Sequence, residues 1–221
     1  MQKDFHYYAT YAAAYLSGYS HEESLAVAYS AQFVDCCTAT FLMKIKGPAS
    51  AATTQLAVEL ADARTDVIGL QDITRIWASF HFLPYDLYTR IPKRSRRYMQ
   101  KYRLICNANG DLVTDTVERA KDKSLQACGV AMHVLADTWA HRYFAGTPSL
   151  VINNATGFYD LCQEKPIRFG HNPISPDDVD KGQYTNTVLQ NEENSIMNLG
   201  HGRAGHLPDY SFMRYLFMPS W

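Results

Sequence analysis

Three residues in the stretch Met132-His-Val-Leu-Ala-Asp-Thr-Trp-Ala-His-Arg142 have types and spacing that suit metal chemistry: His133, Asp137 and His141. Each follows the last by four positions. At about 100° per residue, a step of four advances only about 40° round a helix, so the three side chains share one face. The positions between them are apolar or small and offer no lysine or arginine to pair the carboxylate. A buried charge without a partner is costly, and a divalent cation removes that cost, because neutral imidazoles and a carboxylate are ligands for zinc and similar metals. A plainer arrangement stays open, in which two histidines and an aspartate hydrogen-bond to one another inside a helical core.

Further ligand types recur along the chain. His6 stands in Asp4-Phe-His-Tyr-Tyr8, where Asp4 can either ligate or cap the helix. Asp35 lies in Ala31-Gln-Phe-Val-Asp-Cys-Cys37, after a helical face that holds only Ala28, Ala31 and Gln32. His81 is flanked by aromatics in Ser79-Phe-His-Phe-Leu-Pro84, a setting that also suits a satisfied core histidine. His201 and His206 sit among glycines in Asn198-Leu-Gly-His-Gly-Arg-Ala-Gly-His-Leu-Pro-Asp209, where the backbone can approach an ion closely. His21 and His171 have polar neighbours and read as surface residues. Cys36 and Cys37 read as buried structural positions.

The elements that must position these groups are mainly helical. Asp4 starts a helix from Phe5 to about Leu16, which stops near Gly18. Ser20 and Glu23 form a capping box for a second helix, running toward Phe41. Lys46-Gly-Pro48 marks a break. Leu56 to Ala63 looks helical, and Asp72 to Phe82 is a further helix or turn leading into Pro84. Helices are predicted from Asp111 to Lys121 and from Ser124 to Tyr143, closed by Gly146 and Pro148. Residues 146–200 are dense in Asn, Gly, Pro and Asp, which suggests a long irregular segment or lid, with a short strand such as Ser149 to Ile152 within it. The chain closes on an aromatic-rich segment, Tyr210 to Trp221, whose abrupt end suggests either a docked terminus or a shortened chain.

Bulk properties narrow the function classes. With 221 residues, 47% apolar and 19% charged, the chain fits one globular domain and not a disordered one. It has no run of about eighteen apolar residues, so no transmembrane segment is expected. The opening Met1-Gln-Lys-Asp-Phe-His lacks the apolar stretch of a secretory signal, which predicts a cytoplasmic location. Five cysteines without a Cys-x-x-Cys pair argue against a disulfide framework and a cysteine zinc knuckle. A net charge of −1 gives no pull toward nucleic acid. The basic stretch Lys93-Arg-Ser-Arg-Arg97 reads as a solvated loop. Serine-elbow, phosphate-loop, dinucleotide and His-Glu-x-x-His motifs are all missing, as are Glu-x-x-His and a His-Asp doublet.

Taken together, these residues resemble the zinc-dependent phospholipase C and fungal single-strand nuclease superfamily. In that group an all-helical domain holds three zinc ions through an early His, an Asp, a His in a His-Phe-like segment, a His-x-x-x-Asp helix and later histidines. The matching positions are His6, Asp35, His81, and His133 with Asp137, then His141 and His201. The opening Asp-Phe-His-Tyr-Tyr and the late Gly-His-Gly-Arg-Ala-Gly-His also resemble an uncharacterised bacterial family near that superfamily. Departures are specific. Where the enzymes ligate through a mature N-terminal Trp, this chain begins Met-Gln-Lys, so Asp4 would substitute. The gap from Asp137 to the next His is only three residues. The final His-x-x-x-Glu is missing, since Gly205 takes the Glu position, leaving His206 or Asp209 to compensate.

The resulting expectation is a mostly α, single-domain helical bundle over 1–221, holding one to three zinc ions or another divalent metal. The resemblance implies a metal-dependent phosphoester hydrolase in which metal-activated water attacks phosphorus. Asp35 or Asp4 would orient that water, and Arg203 would contact phosphate. Expected substrates are small-molecule or lipid phosphoesters, with nucleic acid ranked behind them. Oligomeric state is not legible. The rival expectation is a non-catalytic helical protein with a structural metal and a partner-binding surface.

Overall fold

The computed structural model describes residues 2–37, 53, 74–87, 95–96, 102–147, 150–153, 155–162, 164–168 and 207–219. Over these the protein is mostly helical. A π-helical segment (Asp4–Ala9) runs into α1 (Thr10–Leu16), and α2 (His21–Phe33) follows. A second π-helical segment (Trp77–His81) precedes α3 (Asp111–Lys121) and α4 (Leu125–Ala140). A short α5 (Leu150–Asn153) leads into β1 (Ala155–Asp160) and β2 (Ile167–Arg168), and β3 (Tyr215–Pro219) completes the described chain.

Local sequence explains the helix starts. The Ser20 hydroxyl accepts from the Glu23 amide, and the Glu23 carboxylate accepts from the Ser20 amide, so two orphan donors are satisfied reciprocally. That exposed pairing also holds the Glu23 carboxyl below its ordinary range, chiefly through the Ser20 amide. Ser124 caps α4 through the Ala127 amide. The second helix ends at Phe33, short of Phe41, and residues 34–36 form a turn. The fourth ends at Ala140, with His141 as its C-cap rather than inside it.

Helix α4 is the spine of the domain, with α2, α3 and both π-helical segments packed on it. Two glycines set how closely. A Cβ on Gly129 would stand 2.4 Å from the Val27 carbonyl oxygen and 2.6 Å from Ser30 Cβ, so α2 and α4 touch almost backbone to backbone. Fully buried Ala28 and Ala31 line the same crossing. Likewise a Cβ on Gly146 would meet the Ala78 amide nitrogen at 2.7 Å, seating the chain after α4 against the second π-helical segment. Buried Asn153 ties that stretch down, accepting from the Ala145 amide and donating to the Ala145 and Thr147 carbonyls.

The region expected to be irregular contains regular structure. Where a strand was predicted at 149–152 the chain is helical at Leu150–Asn153, and the strand comes next, at Ala155–Asp160. Its partners lie on both sides in an antiparallel order β2-β1-β3, with Tyr159 opposite Arg168 and Leu216. Alternation explains the third strand. Tyr215 and Phe217 turn inward onto a core of Phe82, Cys106, Phe144 and Leu207, while Leu216 and Met218 remain exposed. The described part of the aromatic segment, 210–219, docks through these contacts. Expectations for Lys46-Gly-Pro48, for Leu56 to Ala63 and for a lid over 169–200 lie outside the described residues. No described helix is long and apolar enough to cross a membrane.

Candidate metal centre

Four separate stretches deliver side chains to one point. His133 and Asp137 project from one face of α4, one and two turns beyond the Gly129 crossing. His6 and His81 each come from a π-helical segment. Such i→i+5 turns are rare and recur at functional sites. Here the Thr10 amide donates to the Phe5 carbonyl, and the Phe82 amide to the Trp77 carbonyl at 2.7 Å. Asp35 arrives from the turn that closes α2.

Asp137 is the hub. His6 Nε2 lies 3.1 Å from its Oδ1, while His81 Nδ1 and His133 Nε2 lie 3.1 and 3.2 Å from its Oδ2. The His81 and His133 nitrogens are 3.3 Å apart. Asp35 faces the same point from outside, with a carboxylate oxygen 3.8 Å from each of the three imidazole nitrogens. His6 stacks on His133 with ring centroids 3.8 Å apart. His6, His133 and Asp137 are fully buried, whereas the Asp35 side chain is 28% exposed, so the cluster meets solvent on the Asp35 side.

These donors fit a divalent cation. Ligand atoms about 2.0–2.1 Å from a zinc stand about 3.3 Å apart at tetrahedral angles, close to the observed nitrogen separation. The hydrogen bonding of His81 is decisive for its own lone pair. Its Nε2 lies 2.8 Å from the Thr53 carbonyl, which can only accept, so Nε2 carries the hydrogen. In the neutral ring Nδ1 is then a bare lone pair pointed at carboxylate oxygen, a repulsive contact that a cation between them reverses. Without an ion, either His133 Nε2–H donates to that lone pair at 3.3 Å or the ring takes a proton there. Burial pulls His81 down, but the Asp137 carboxylate more than offsets it and lifts the ring above 6.5. Burial holds His6 and His133 below 6.5. It also raises the Asp35 carboxyl. Burial alone would raise the Asp137 carboxyl too, but the amino terminus and then the His141 and His133 imidazoles more than offset it and hold the carboxyl well below the usual carboxylate range. His6 and His133 each bury an Nδ1 with no hydrogen-bond partner, a cost that either occupancy carries.

The remaining predicted residues divide. His141 shares the side of α4 but not the hub. Its Nδ1 donates to the His81 carbonyl and is 3.8 Å from Asp137, its Nε2 is 3.0 Å from Asp209 Oδ1, and its ring stacks on Phe82. The His141 amide still bonds the Asp137 carbonyl as C-cap, and its own partners hold the third ring of the i, i+4 series toward a second carboxylate. Asp4 is not among the converging groups: at the exposed start of the first π-helical segment, whose N-cap is Lys3, its carboxylate accepts from the Phe5 amide and the Ser211 hydroxyl. His201, His206 and Arg203 lie outside the described residues. Thr53 had no signal in the sequence, since a carbonyl acceptor can belong to any residue type. Cys36 is exposed and Cys37 buried, so the buried expectation holds for the second alone. Cys106 is a core thiol bonded to the Thr138 carbonyl, and burial pushes its pKa up.

Family membership follows from the full length. The model of a family of unknown function, DUF6765, matches residues 1–219. The chain belongs to DUF6765. No curated protein and no solved structure matches it. For this DUF6765 chain the chemistry is therefore read from the cluster of His6, Asp35, His81, His133 and Asp137.

Proposed function

We propose that the protein is a metal-dependent hydrolase of phosphoester bonds, with zinc at the His6, Asp35, His81, His133 and Asp137 cluster. The observation that carries the metal is the paired approach of two carboxylates to three imidazole nitrogens, one of which has its lone pair fixed inward by Thr53. The phosphoester class comes from the resemblance to the zinc-dependent phospholipase C and single-strand nuclease superfamily, and is part of the same proposal. A bound cation supplies a water acidic enough to ionise near neutral pH and positive charge for the phosphoryl oxygens. Asp137 and the three rings would hold the ion, while Asp35, on the solvent side, would orient the water, with no separate general base required. Arg203 is assigned to phosphate contact within this reading. Substrates are small-molecule or lipid phosphoesters, with nucleic acid ranked behind them. The number of ions, one to three, turns on whether the His141 and Asp209 pair takes one of its own. A cytoplasmic setting belongs to the same proposal.

One observation favours a second reading. His6, His133 and Asp137 are wholly buried, as the ligands of a closed structural site are, and such a site would support a partner-binding surface instead of catalysis. Elemental analysis of tag-free protein, followed by a phosphomonoester and phosphodiester panel with and without chelator, tests both. Stoichiometric zinc with chelator-sensitive hydrolysis is expected. Zinc without hydrolysis selects the structural reading, and protein devoid of metal after purification in metal-replete buffer defeats both.

A further inference from the structure

Thr53 makes three hydrogen bonds that join two ligands of the centre. Its hydroxyl donates to the Val34 carbonyl at 2.7 Å and its amide to the Cys37 carbonyl at 2.9 Å, the two carbonyls that bracket Asp35. Its own carbonyl accepts from His81 Nε2 at 2.8 Å. Val34 follows the last residue of α2, so its carbonyl is one of the orphan acceptors that a helix end leaves. Asp35 has little else to fix it locally: its amide bonds the Gln32 carbonyl at 3.1 Å, and the Gln32 side-chain amide reaches its carboxylate only at 3.5 Å.

We infer that Thr53 is a positioning residue for the metal centre, clamping the Asp35 turn while holding His81 in the tautomer that presents Nδ1. This rests on the metal reading above. The hydroxyl and the carbonyl belong to one residue, so the turn carrying the outer carboxylate and the ring carrying the inner lone pair are set by a single clamp. Partners that orient metal ligands in this way change affinity by about 10- to 100-fold when lost. The β-branched side chain adds stiffness, since its χ1 is restricted and the hydroxyl stays aimed at the helix end.

The test uses the full chain, with zinc and cobalt(II) as probes. Thr53→Val keeps the shape and removes the donor, and Thr53→Ser keeps the donor and removes the methyl group. Zinc affinity is expected to fall by about 10- to 100-fold in the valine variant and to return near wild type in the serine variant. The visible bands of the cobalt-loaded protein should shift in the valine variant alone. If wild-type protein binds neither metal, the metal reading fails. If wild type binds and the valine variant matches it in affinity and cobalt spectrum, the Thr53 inference fails alone. Thr53→Ala covers poor folding of the valine variant. If both hydroxyl-free variants unfold in chelator, or lose stability with unchanged metal affinity, Thr53 is merely structural and the inference is overturned.

Discussion

The middle of α4 and its C-terminal end carry the same i, i+4 arithmetic, yet the structure uses them differently. His133 and Asp137 lie inside the helix, so the spacing translates directly into a shared face, and both reach the hub. His141 is the C-cap, where the backbone has left helical values, and its ring bridges the His81 carbonyl and Asp209 instead. The His141 amide still bonds the Asp137 carbonyl at 2.9 Å, so the spacing fixes the side of the helix for all three residues. Where the His141 ring then goes is decided by its tertiary partners, the His81 carbonyl and Asp209.

The largest expected effect breaks the middle of the helix. Asp137→Asn removes the group that three imidazoles share, and metal content should fall from stoichiometric to background while the helical circular dichroism remains. Retained metal in that variant would remove Asp137 from the ligand set. His81→Gln and His141→Gln then compare the hub with its edge. Zinc affinity should fall well beyond 100-fold for His81→Gln but only about 10- to 100-fold for His141→Gln, which acts through the His81 carbonyl. Equal losses in titrations of the two variants would make His141 a full partner and erase the distinction.

A third change attacks the crossing that brings Asp35 to α4. Gly129→Ala places a methyl group 2.4 Å from the Val27 carbonyl oxygen and should destabilise the protein by about 1–3 kcal/mol, read from urea midpoints. An unchanged midpoint would mean that the two helices can part without loss.

A fourth measurement uses pH on chelated protein. His6 and His133 have folded-state values lowered from 6.5, so the unfolded chain binds more protons just below that pH, and stability falls on acidification. His81 has a folded-state value raised above 6.5, so its contribution is complete below that pH and is lost as pH rises through the folded value. Stability without metal should therefore peak near pH 6.5, and replacing His81 should abolish the decline on the alkaline side. A monotonic profile from about pH 5.5 to about pH 8 would contradict these directions.

The smallest effect lies farthest from the hub. Ser20→Ala disrupts the capping box and should cost about 1 kcal/mol in thermal or urea melts, leaving zinc affinity unchanged. A change in zinc affinity would tie the start of α2 to the site.

Much of this was written locally. The capping box at Ser20 and Glu23, the Ser124 cap and the His133 and Asp137 spacing are near-neighbour relations, and short-range hydrogen bonds enforce them whatever the rest of the chain does. The sequence by itself therefore determined the main helices and which side of α4 would carry His133 and Asp137. Only the tertiary structure decided that His6 and His81 would ride on π-helical turns, that Thr53 would bond one ring, and that Asp4 would bond the Phe5 amide and the Ser211 hydroxyl instead of joining Asp35. Those outcomes depend on backbone carbonyls and on the close approach at Gly129 and Gly146, contacts between segments dozens of residues apart. No residue type along the chain encodes such a carbonyl, because every residue has one; packing alone selects the few that become partners.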